Sequence, residues 1–427
     1  MEFVIPNWDT IIFNNTTNWT PPTKIKDVTD IPTTIITNTK SDEEMELWTM
    51  RSAISKYENG NNKRTWEYYK KCINPYELVY THRKYSQFPN SICMLHPLSR
   101  SYFKMIELLK LSDFFKSINP YISADNRLRS AHVCEGPGGF IEGFIDVCIS
   151  HRLIIDSSVA MTLHAGESTG VPGWKKASNF IKHNKCIKIL YGKDGTGNIL
   201  NRENQDSFID FVSLTKVHLF TGDGGFDFSM NYDIQEQSVF PLLVATTRIG
   251  FGCLAKGGCF IMKLFDCYKQ QTVEFLCFLS SFFEKWTLYK PSISRPCNPE
   301  QYFIGIGFLG CDSRPNTLEL LSNWQTCRSN LQISQLVNNI PCEFAEYISI
   351  TRTCSFDIQK QYLNSVFNII EHGTDIIVSN LLKKHELMSY YWCKHFNVPV
   401  CHHRAQLIEE AHTGRQGVDR RQPMPDV

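Results

Sequence analysis

The sequence predicts an α/β fold in which a doubly wound, mostly parallel sheet carries helices on both faces. Short apolar or β-branched runs alternate with helix-length segments through about residues 120–310, as in parallel sheets. A glycine-rich turn joins the first run to a helix, and such sheets bind ligands at the carboxyl ends of their strands. We therefore expect this sheet at the centre of the chain, with helical N- and C-terminal flanks.

The predicted strands follow one another at regular intervals. They are AHVCE (131–135), SVAMTLH (158–164), CIKILYG (186–192), VHLFTG (217–222), GCFIMKLF (258–265), KWTLYK (285–290) and YFIGIGF (302–308). Helical patterns cover about 42–71, 100–118, 139–151 and 234–255, and most of the chain from about 320 onward.

These patterns predict three parts. Residues 1–90 would form an N-terminal arm and a helical flank, of which 1–45 are extended or loosely attached. Residues 91–320 would form the catalytic domain. Residues 321–427 would form a C-terminal helical region that ends in a mobile tail.

Composition limits the possible functions. The 44 basic and 43 acidic residues give a formal net charge of +1, so any RNA-binding surface must be a local patch. No apolar window predicts a transmembrane helix, and the N-terminus does not have the pattern of a signal peptide. The 16 cysteines include no CxxC pair, which is typical of reduced, mostly buried thiols in a cytoplasmic protein.

A metal site is an alternative use for some of these cysteines. Cys393, His395, Cys401, His402 and His403 lie close together in the sequence. Their spacing does not match a usual zinc site, because no second cysteine pair lies nearby. We expect no metal here.

The strongest local motif is HVCEGPGGFIEGF (132–144), where a strand ends in a glycine-rich turn and a helix begins. Gly136, Gly138 and Gly139 would allow close approach of a ligand, and the helix start offers free N–H groups. The turn has neither the GxGxxG spacing for a dinucleotide nor a Walker GK[ST]. It suits a smaller ligand with a carboxylate, although such turns also occur as simple tight connections.

Three charged residues follow predicted strands or lie near their ends. They are Asp223 in TGDGGFD, Lys263 in CFIMKLF and Glu300 in SRPCNPEQY. A lysine inside an apolar strand is costly unless it is paired or functional. An Asp–Lys pair that only joins adjacent strands is the structural alternative.

Together with SRSYFKM (99–105), these motifs resemble the FtsJ/RrmJ family of RNA 2′-O-ribose methyltransferases, and within it the cap-specific branch. The resemblance covers about residues 50–310 and is closest to members from large cytoplasmic DNA viruses. It implies the Rossmann-like S-adenosylmethionine-dependent methyltransferase fold, a viral protein of the host cytoplasm that could be packaged in the virion, and capped RNA as substrate. Other capping or transcription subunits would be its protein partners, and no membrane is implied.

The resemblance also implies site residues. The catalytic tetrad would be Lys104, Asp223, Lys263 and Glu300. S-adenosylmethionine would be held by Ser99, Cys134, Glu135, Gly136, Pro137, Gly138, Gly139, Phe140, Asp194, Asn198 and Ile199. RNA would contact Lys56, Tyr57, Lys70, Asp233 and Glu300. A solvated helix face is the alternative interpretation of the first three of these.

Two departures from the family bear on activity. Glu135 stands where alanine is usual and adds a carboxylate beside the cofactor turn, and Asn198 replaces a usual aspartate, for which Asp194 could substitute. Cofactor binding could therefore be weakened. Two alternatives to a cap enzyme follow, a methyltransferase for internal RNA positions and a catalytically weak RNA- or partner-binding protein.

The chemistry sets an expectation for one pKa. A lysine with an ordinary pKa is almost wholly charged at neutral pH and cannot accept the proton of a ribose hydroxyl. Lys263 would serve as base or alkoxide stabiliser if Lys104 and the cationic cofactor lowered its pKa. Asp223 would orient Lys263, and Glu300 would orient Lys104 and the ribose.

Overall fold

The computed structural model describes residues 13–14, 41–58, 63–81, 88–122, 127–164, 173–225, 235–327, 337, 340–402 and 404–409. Packing divides the chain into two units, each built from separate stretches. Unit 1 comprises Met1–Thr49, Pro97–Pro291 and Pro299–Asp357. Unit 2 comprises Met50–His96, Ser292–Asn298 and Ile358–Val427.

An eight-stranded sheet forms the centre of unit 1. Its strands are β1 (Phe13–Asn14), β2 (Arg127–Val133), β3 (Ile154–Met161), β4 (Ile187–Leu190), β5 (Val217–Gly222), β6 (Leu254–Leu264), β7 (Phe283–Tyr289) and β8 (Gln301–Phe308). They lie in the order β1-β7-β8-β6-β5-β2-β3-β4. Strands β2 to β6 are parallel, whereas β8 runs antiparallel to both of its neighbours.

The α-helices of the described residues connect or follow these strands. They are α1 (Asp42–Ala53), α2 (Ser55–Glu58), α3 (Lys63–Ile73), α4 (Ser101–Leu111), α5 (Phe114–Ile118), α6 (Gly139–Ser150), α7 (Ser178–His183), α8 (Arg202–Ser213), α9 (Gln235–Cys253), α10 (Gln270–Ser280), α11 (Thr317–Cys327), α12 (Cys342–His372) and α13 (Asp375–His395). No helix in the described part of the chain is long and apolar enough to cross a membrane.

Two apolar cores lie on the two faces of the sheet, because successive strand residues point to opposite sides. Leu219 and Ile261 pack with α4, α5 and α6 in one core. Phe220 and Phe260 pack with α8, α9, α10 and α11 in the other. The predicted doubly wound, mostly parallel sheet is confirmed by this arrangement and by the strand order.

The seven predicted strands are all present, and five of them (β2, β3, β6, β7 and β8) begin one to four residues earlier than predicted. Strand β6 starts at Leu254 and not at Gly258, because Val217 pairs with Leu254 and, after a register shift, Leu219 pairs with Cys259. Gly257, with φ +77°, lies in this irregular stretch. Glycine and lysine in AKGG resemble a turn in sequence, yet here they form an irregular part of a strand.

The structure describes two places within the predicted arm, residues 13–14 and the segment from residue 41 onward. Phe13 and Asn14 form β1, which pairs antiparallel with Trp286 and Lys285 at the sheet edge. Helix α1 begins at Asp42, where the helical pattern was predicted to begin. Three acidic residues in its first turn favour this helix start, because their negative charges interact favourably with the positive end of the helix dipole.

Unit 2 has its own small core and a buried ion pair. Cys72, Leu78 and Val378 are among its buried apolar residues. Arg295 donates from Nε and Nη2 to the two carboxylate oxygens of Glu77, at 3.2 and 3.0 Å. This two-pronged pair fixes the segment 292–298 within unit 2.

Truncating the centre of unit 1 should be costly. Phe260 is fully buried and stacks on Phe220, with ring centroids 5.4 Å apart. Phe260→Ala should lower the free energy of unfolding by about 3 to 5 kcal/mol, the usual cost of removing a buried phenyl ring. Denaturant titration measures this value. Leu214→Ala is the control, since Leu214 is 85% exposed, and a loss as small as the control's would contradict the packing described here.

Candidate active site

The sheet brings three of the four predicted catalytic residues to one edge. Asp223 follows β5, and Lys263 is the last residue but one of the neighbouring parallel strand β6. Because β8 is antiparallel to β6, its beginning lies at the same edge, where Lys263 pairs with Tyr302 and Leu264 with Gln301. Glu300 immediately precedes β8 and therefore reaches the other two residues.

Lys104 comes to this edge from a helix packed on the sheet. It lies in the first turn of α4, and α4 is held against α6 by polar bonds at its start. The backbone N–H of Leu98 donates to Glu142 Oε2 at 2.7 Å, and the Tyr102 hydroxyl donates to Asp146 Oδ2 at 2.9 Å. These bonds fix the height and rotation of α4 and thus the direction of Lys104.

The four side chains form two ion pairs. Lys104 Nζ lies 2.5 Å from Glu300 Oε1, and Lys263 Nζ lies 3.2 Å from Asp223 Oδ1. The side chains of all four are between 12% and 16% exposed. A nearly buried cluster that retains some access to solvent can pair its charges and still admit a substrate hydroxyl.

The charge balance determines two pKa values. Burial opposes ionisation of Glu300, but the ammonium groups of Lys104 and Lys263 outweigh it and lower the pKa of Glu300 to about 2. Burial alone would lower the pKa of Lys263, but the carboxylates of Asp223 and Glu300 outweigh burial and raise it. The expected lowering of the Lys263 pKa is therefore wrong for the unliganded protein, because each lysine faces a carboxylate.

Tyr302 belongs to this cluster and was not predicted from the sequence. Its hydroxyl donates to Asp223 Oδ1 at 2.8 Å and lies 3.5 Å from Glu300 Oε1. The residue is fully buried, and burial raises the pKa of its phenol well above the usual value. Strand alternation was the available signal, since Tyr302 lies two residues after Glu300 and shares its side of the chain.

The glycine-rich turn lies directly after β2, beside this cluster. Cys134 and Gly138 have φ values of +60° and +104°, and α6 begins at Gly139. A Cβ on Gly136 would lie 2.8 Å from the carbonyl oxygen of Gly173. A Cβ on Gly139 would overlap the hydroxyls of Ser99 and Ser101. At Gly136 and Gly139 the turn is therefore packed tightly against other parts of the protein, and close approach of a ligand stays a prediction.

Neighbours of the turn differ in what they can offer a ligand. Phe140 lies in the core, 1% exposed, so its side chain supports the turn from behind. The thiol of Cys134 is partly exposed by area, and burial raises its pKa to about 12. Pro137 follows Gly136 in a cis peptide bond. The turn and its neighbours thus offer backbone groups and the Ser99 hydroxyl as polar groups to a ligand.

Glu135 does not stand free beside the cofactor turn as expected. It is 4% exposed and accepts a hydrogen bond from the Thr221 hydroxyl, with His132 Nδ1 3.4 Å from Oε2. Burial raises the pKa of this carboxyl. Among the described residues its Oε2 has no hydrogen-bond partner, nor does Nε1 of Trp174. The Glu135 carboxyl is therefore turned into the protein, toward Thr221 and His132, and does not stand as an exposed carboxylate beside the turn.

The predicted adenosine-contacting residues lie in the loop 191–201 after β4. Both oxygens of the Asp194 carboxylate accept bonds from within the loop or from α8, namely from Thr196, Asn201 and Asn204. These bonds lower the pKa of Asp194. Asp194 therefore braces the loop, and its predicted substitution for the missing aspartate is not supported.

The other two predicted residues of this loop have different environments. Asn198 Oδ1 accepts from the backbone N–H of Leu200 at 3.0 Å. The Ile199 side chain is 2% exposed and belongs to the apolar core, so only its backbone could meet a ligand. Gly197, with φ +67°, lets the loop lie against β3, because a Cβ there would be 1.9 Å from the Thr162 carbonyl oxygen.

The predicted RNA-contacting residues of the N-terminal flank lie in unit 2. The Tyr57 hydroxyl donates to Glu371 Oε1 at 2.5 Å, and its ring stacks on Phe367 with centroids 5.4 Å apart. Lys56 Nζ lies 3.5 Å from the same carboxylate, and Lys70 pairs with Glu67. One face of the Tyr57 ring is therefore already covered. Asp233 lies outside the described residues.

The Cys/His segment near the C-terminus does not assemble a metal centre among the described residues. Cys393 is buried, whereas Cys401 is exposed. No group of three or more His, Cys, Asp or Glu side chains that could hold a metal occurs in the described ranges. His403 lies outside them.

The chain is similar in sequence to cap-specific mRNA methyltransferases. The chain is 28% identical over 329 residues, 70% of its length, to cap-specific mRNA (nucleoside-2′-O-)-methyltransferase 1 of Dictyostelium discoideum, covering 40% of that protein. It is 31% identical over 142 residues, 33% of its length, to the cap-specific enzyme of Autographa californica nuclear polyhedrosis virus, covering 54% of that protein. These alignments span about half, or less, of the relatives' lengths.

Similarity to solved structures is weaker. Human methyltransferase-like protein 13 in complex with SAH aligns over 53% of this chain and 92% of its own, at 12% identity and a TM-score of 0.32, which supports no conclusion about function. The family profile is more specific, since its match to FtsJ-like methyltransferases covers residues 97–308, from just before α4 to the end of β8. Residues 97–308 of this chain therefore form an FtsJ-like methyltransferase domain.

Proposed function

We propose that the protein transfers a methyl group from S-adenosylmethionine to a ribose 2′-hydroxyl of RNA, at the first transcribed nucleotide of capped mRNA. The observation that carries this proposal is the cluster of Lys104–Glu300 and Lys263–Asp223 ion pairs. It lies at the carboxyl edge of a parallel sheet, next to the turn between β2 and α6, where such sheets bind ligands.

The residues at the turn fit the cofactor. The start of α6 offers backbone N–H groups to a carboxylate, and the helix dipole favours a negative charge there. Ser99, Gly136 and Gly138 would hold the methionine end, and the backbone at Asn198–Ile199 would meet the nucleoside. The unpartnered Nε1 of Trp174 lies in a ring that packs near Gly138. Bound S-adenosylmethionine would supply the electrophilic methyl group.

The tetrad side chains would then hold and activate the ribose. Lys263 is an ammonium, because its pKa is raised, and would donate a hydrogen bond to the ribose 2′ oxygen. The proton of the 2′-hydroxyl would leave to water as the oxygen accepts the methyl group. Asp223 holds that ammonium in place, and Tyr302 holds Asp223. Lys104 keeps Glu300 ionised, so Glu300 can accept from a neighbouring ribose hydroxyl. Of the two roles expected for Lys263, base or alkoxide stabiliser, the raised pKa favours the stabiliser.

Capped mRNA is the substrate favoured by the relatives. Their names describe cap-specific mRNA methyltransferases from a slime mould and a virus. A net charge of +1 also suits a short grip on an RNA end better than a long basic track. We extend the proposal to a viral protein that acts in the host cytoplasm, as the sequence motifs imply.

The cofactor turn gives a first test. Gly138→Val should abolish binding of S-adenosylmethionine, because a β-branched residue is strained at φ +104° and would displace the turn. Calorimetric titration measures the binding. Gly310→Val is the matched control: Gly310 has φ +85° but follows β8 at the opposite edge of the sheet. Equal affinities in the two variants would show that the cofactor binds elsewhere.

A second test separates binding from chemistry. Lys263→Ala should remove methyl transfer and leave cofactor affinity within about tenfold, since the lysine acts on the ribose. Lys263→Arg should retain a measurable rate, because an arginine stays charged and can still stabilise an oxyanion. The assay is tritiated methyl incorporation into RNA.

Lys256→Ala is the control for this test, because Lys256 lies on the same strand but pairs with Asp312 at the surface. Near-normal turnover in Lys263→Ala would refute the tetrad assignment. A completely inactive Lys263→Arg that binds RNA and cofactor normally would favour a neutral amine base.

A third test concerns the substrate. Short RNA with a methylated guanosine cap should receive one methyl at its first nucleotide, and the same RNA with a bare triphosphate should react far more slowly. Nuclease mapping of the labelled product locates the methyl group. Equal rates on both RNAs, or label only at internal riboses, would favour a methyltransferase for internal positions.

A further inference from the structure

Two glutamine side chains hydrogen-bond to the backbone of the loop 191–201. Gln205 Nε2, on α8, donates to the carbonyl oxygen of Ile199 at 2.7 Å. Gln325 Nε2, on α11, donates to the carbonyl oxygen of Leu200 at 2.7 Å. Gln205 Nε2 also donates to Gln325 Oε1 at 2.8 Å, so the two amides form one unit. Two consecutive peptide groups of the loop are thus oriented by side chains of two different helices.

The orientation of these amides is itself fixed. Gln205 is fully buried, and its Oε1 accepts from Arg248 Nη1 at 3.1 Å. Arg248 also donates to Asp206 Oδ1 at 2.6 Å and to the Leu318 carbonyl oxygen at 3.2 Å. Because the guanidinium can only donate, the oxygen of Gln205 must face it and the NH₂ must face the loop.

The loop lies where the nucleoside end of the cofactor should be. The methyl group must face Asp223 and Lys263, after β5 and β6, which leaves the opposite side of β2 for the rest of the molecule. That side carries the ends of β3 and β4. Adjacent strands are about 4.8 Å apart, so β4 lies about 10 Å from β2, within reach of an adenosine.

We propose that Gln325 is a positioning residue for S-adenosylmethionine, acting through the backbone of the loop 191–201. This inference rests on the proposed function. Helix α11 lies beyond residues 97–308 that match the family profile. A helix outside the matched domain therefore helps to shape the nucleoside side of the cofactor site. Gln325 would influence cofactor affinity without touching the reacting atoms.

The test is Gln325→Leu, which keeps the approximate size of the side chain and removes both of its hydrogen bonds. The variant should bind S-adenosylhomocysteine about tenfold more weakly by calorimetry, and 5′-methylthioadenosine by the same factor, because both ligands carry the adenosine. The kcat at saturating S-adenosylmethionine should stay within about twofold of wild type, with the loss confined to KM.

Glu319→Gln is the matched control. It also weakens a polar link between α11 and α8, because it removes the charge from the 2.8 Å pair of Glu319 with Arg202, but that link ends on an exposed side chain. Hydrogen exchange in the peptide covering 191–201 should be faster in Gln325→Leu and unchanged in Glu319→Gln. Thermal unfolding of both variants shows whether either has lost structure globally. If Gln325→Leu has, the exchange rate of this peptide is compared with that of the remaining sheet, and only a selectively faster exchange in the peptide supports the proposal.

The outcomes separate the two proposals. Wild-type protein that binds no S-adenosylhomocysteine would overturn the proposed function. Wild-type binding with an unchanged affinity and unchanged loop exchange in Gln325→Leu would overturn the positioning role alone. A weaker affinity for S-adenosylhomocysteine with unchanged affinity for 5′-methylthioadenosine would also overturn it, because the effect would then lie at the methionine end.

Discussion

The organisation of the site depends on the pairing of β6 with the antiparallel strand β8. This register places Tyr302 opposite Lys263, and Glu300 one residue before β8. Four charges then meet as two neutral pairs in a nearly buried place, where a single unpaired charge would cost several kcal/mol. The two ion pairs contribute little to the stability of the fold. Their role is to hold the charged groups in position before a substrate binds.

The same balance between burial and neighbouring charges determines which chemical role Lys263 can take. Two carboxylates outweigh burial and keep Lys263 protonated. Its ammonium can stabilise a developing negative charge at once, whereas a lysine base would first have to lose a proton. At the buried Glu135 the outcome is the opposite: burial outweighs His132 and Thr221, which favour the ionised form, and raises the pKa of its carboxyl. Environment, and not residue type, sets the charge of each group.

Much of this could be predicted from the sequence. Alternating apolar runs predicted the sheet and glycine spacing predicted the turn, because both depend on local pattern. The tetrad came from the resemblance of the motifs to the FtsJ/RrmJ family. The sequence could not reveal contacts between distant segments. Asp194 is engaged by Asn204 on α8, Glu135 by Thr221 on β5, and Tyr57 by Glu371 on α12. Each was predicted to face a ligand, and each is held by a partner that no local pattern indicates.

The central claim is that one edge of the sheet holds the methyl donor opposite a charged ribose site. A crystal structure with S-adenosylhomocysteine tests it most directly. The account predicts the ligand across the ends of β2, β3 and β4, with its sulfur toward Asp223 and its adenine at the loop 191–201. A ligand bound elsewhere, or one whose sulfur points away from Asp223 and Lys263, would contradict it.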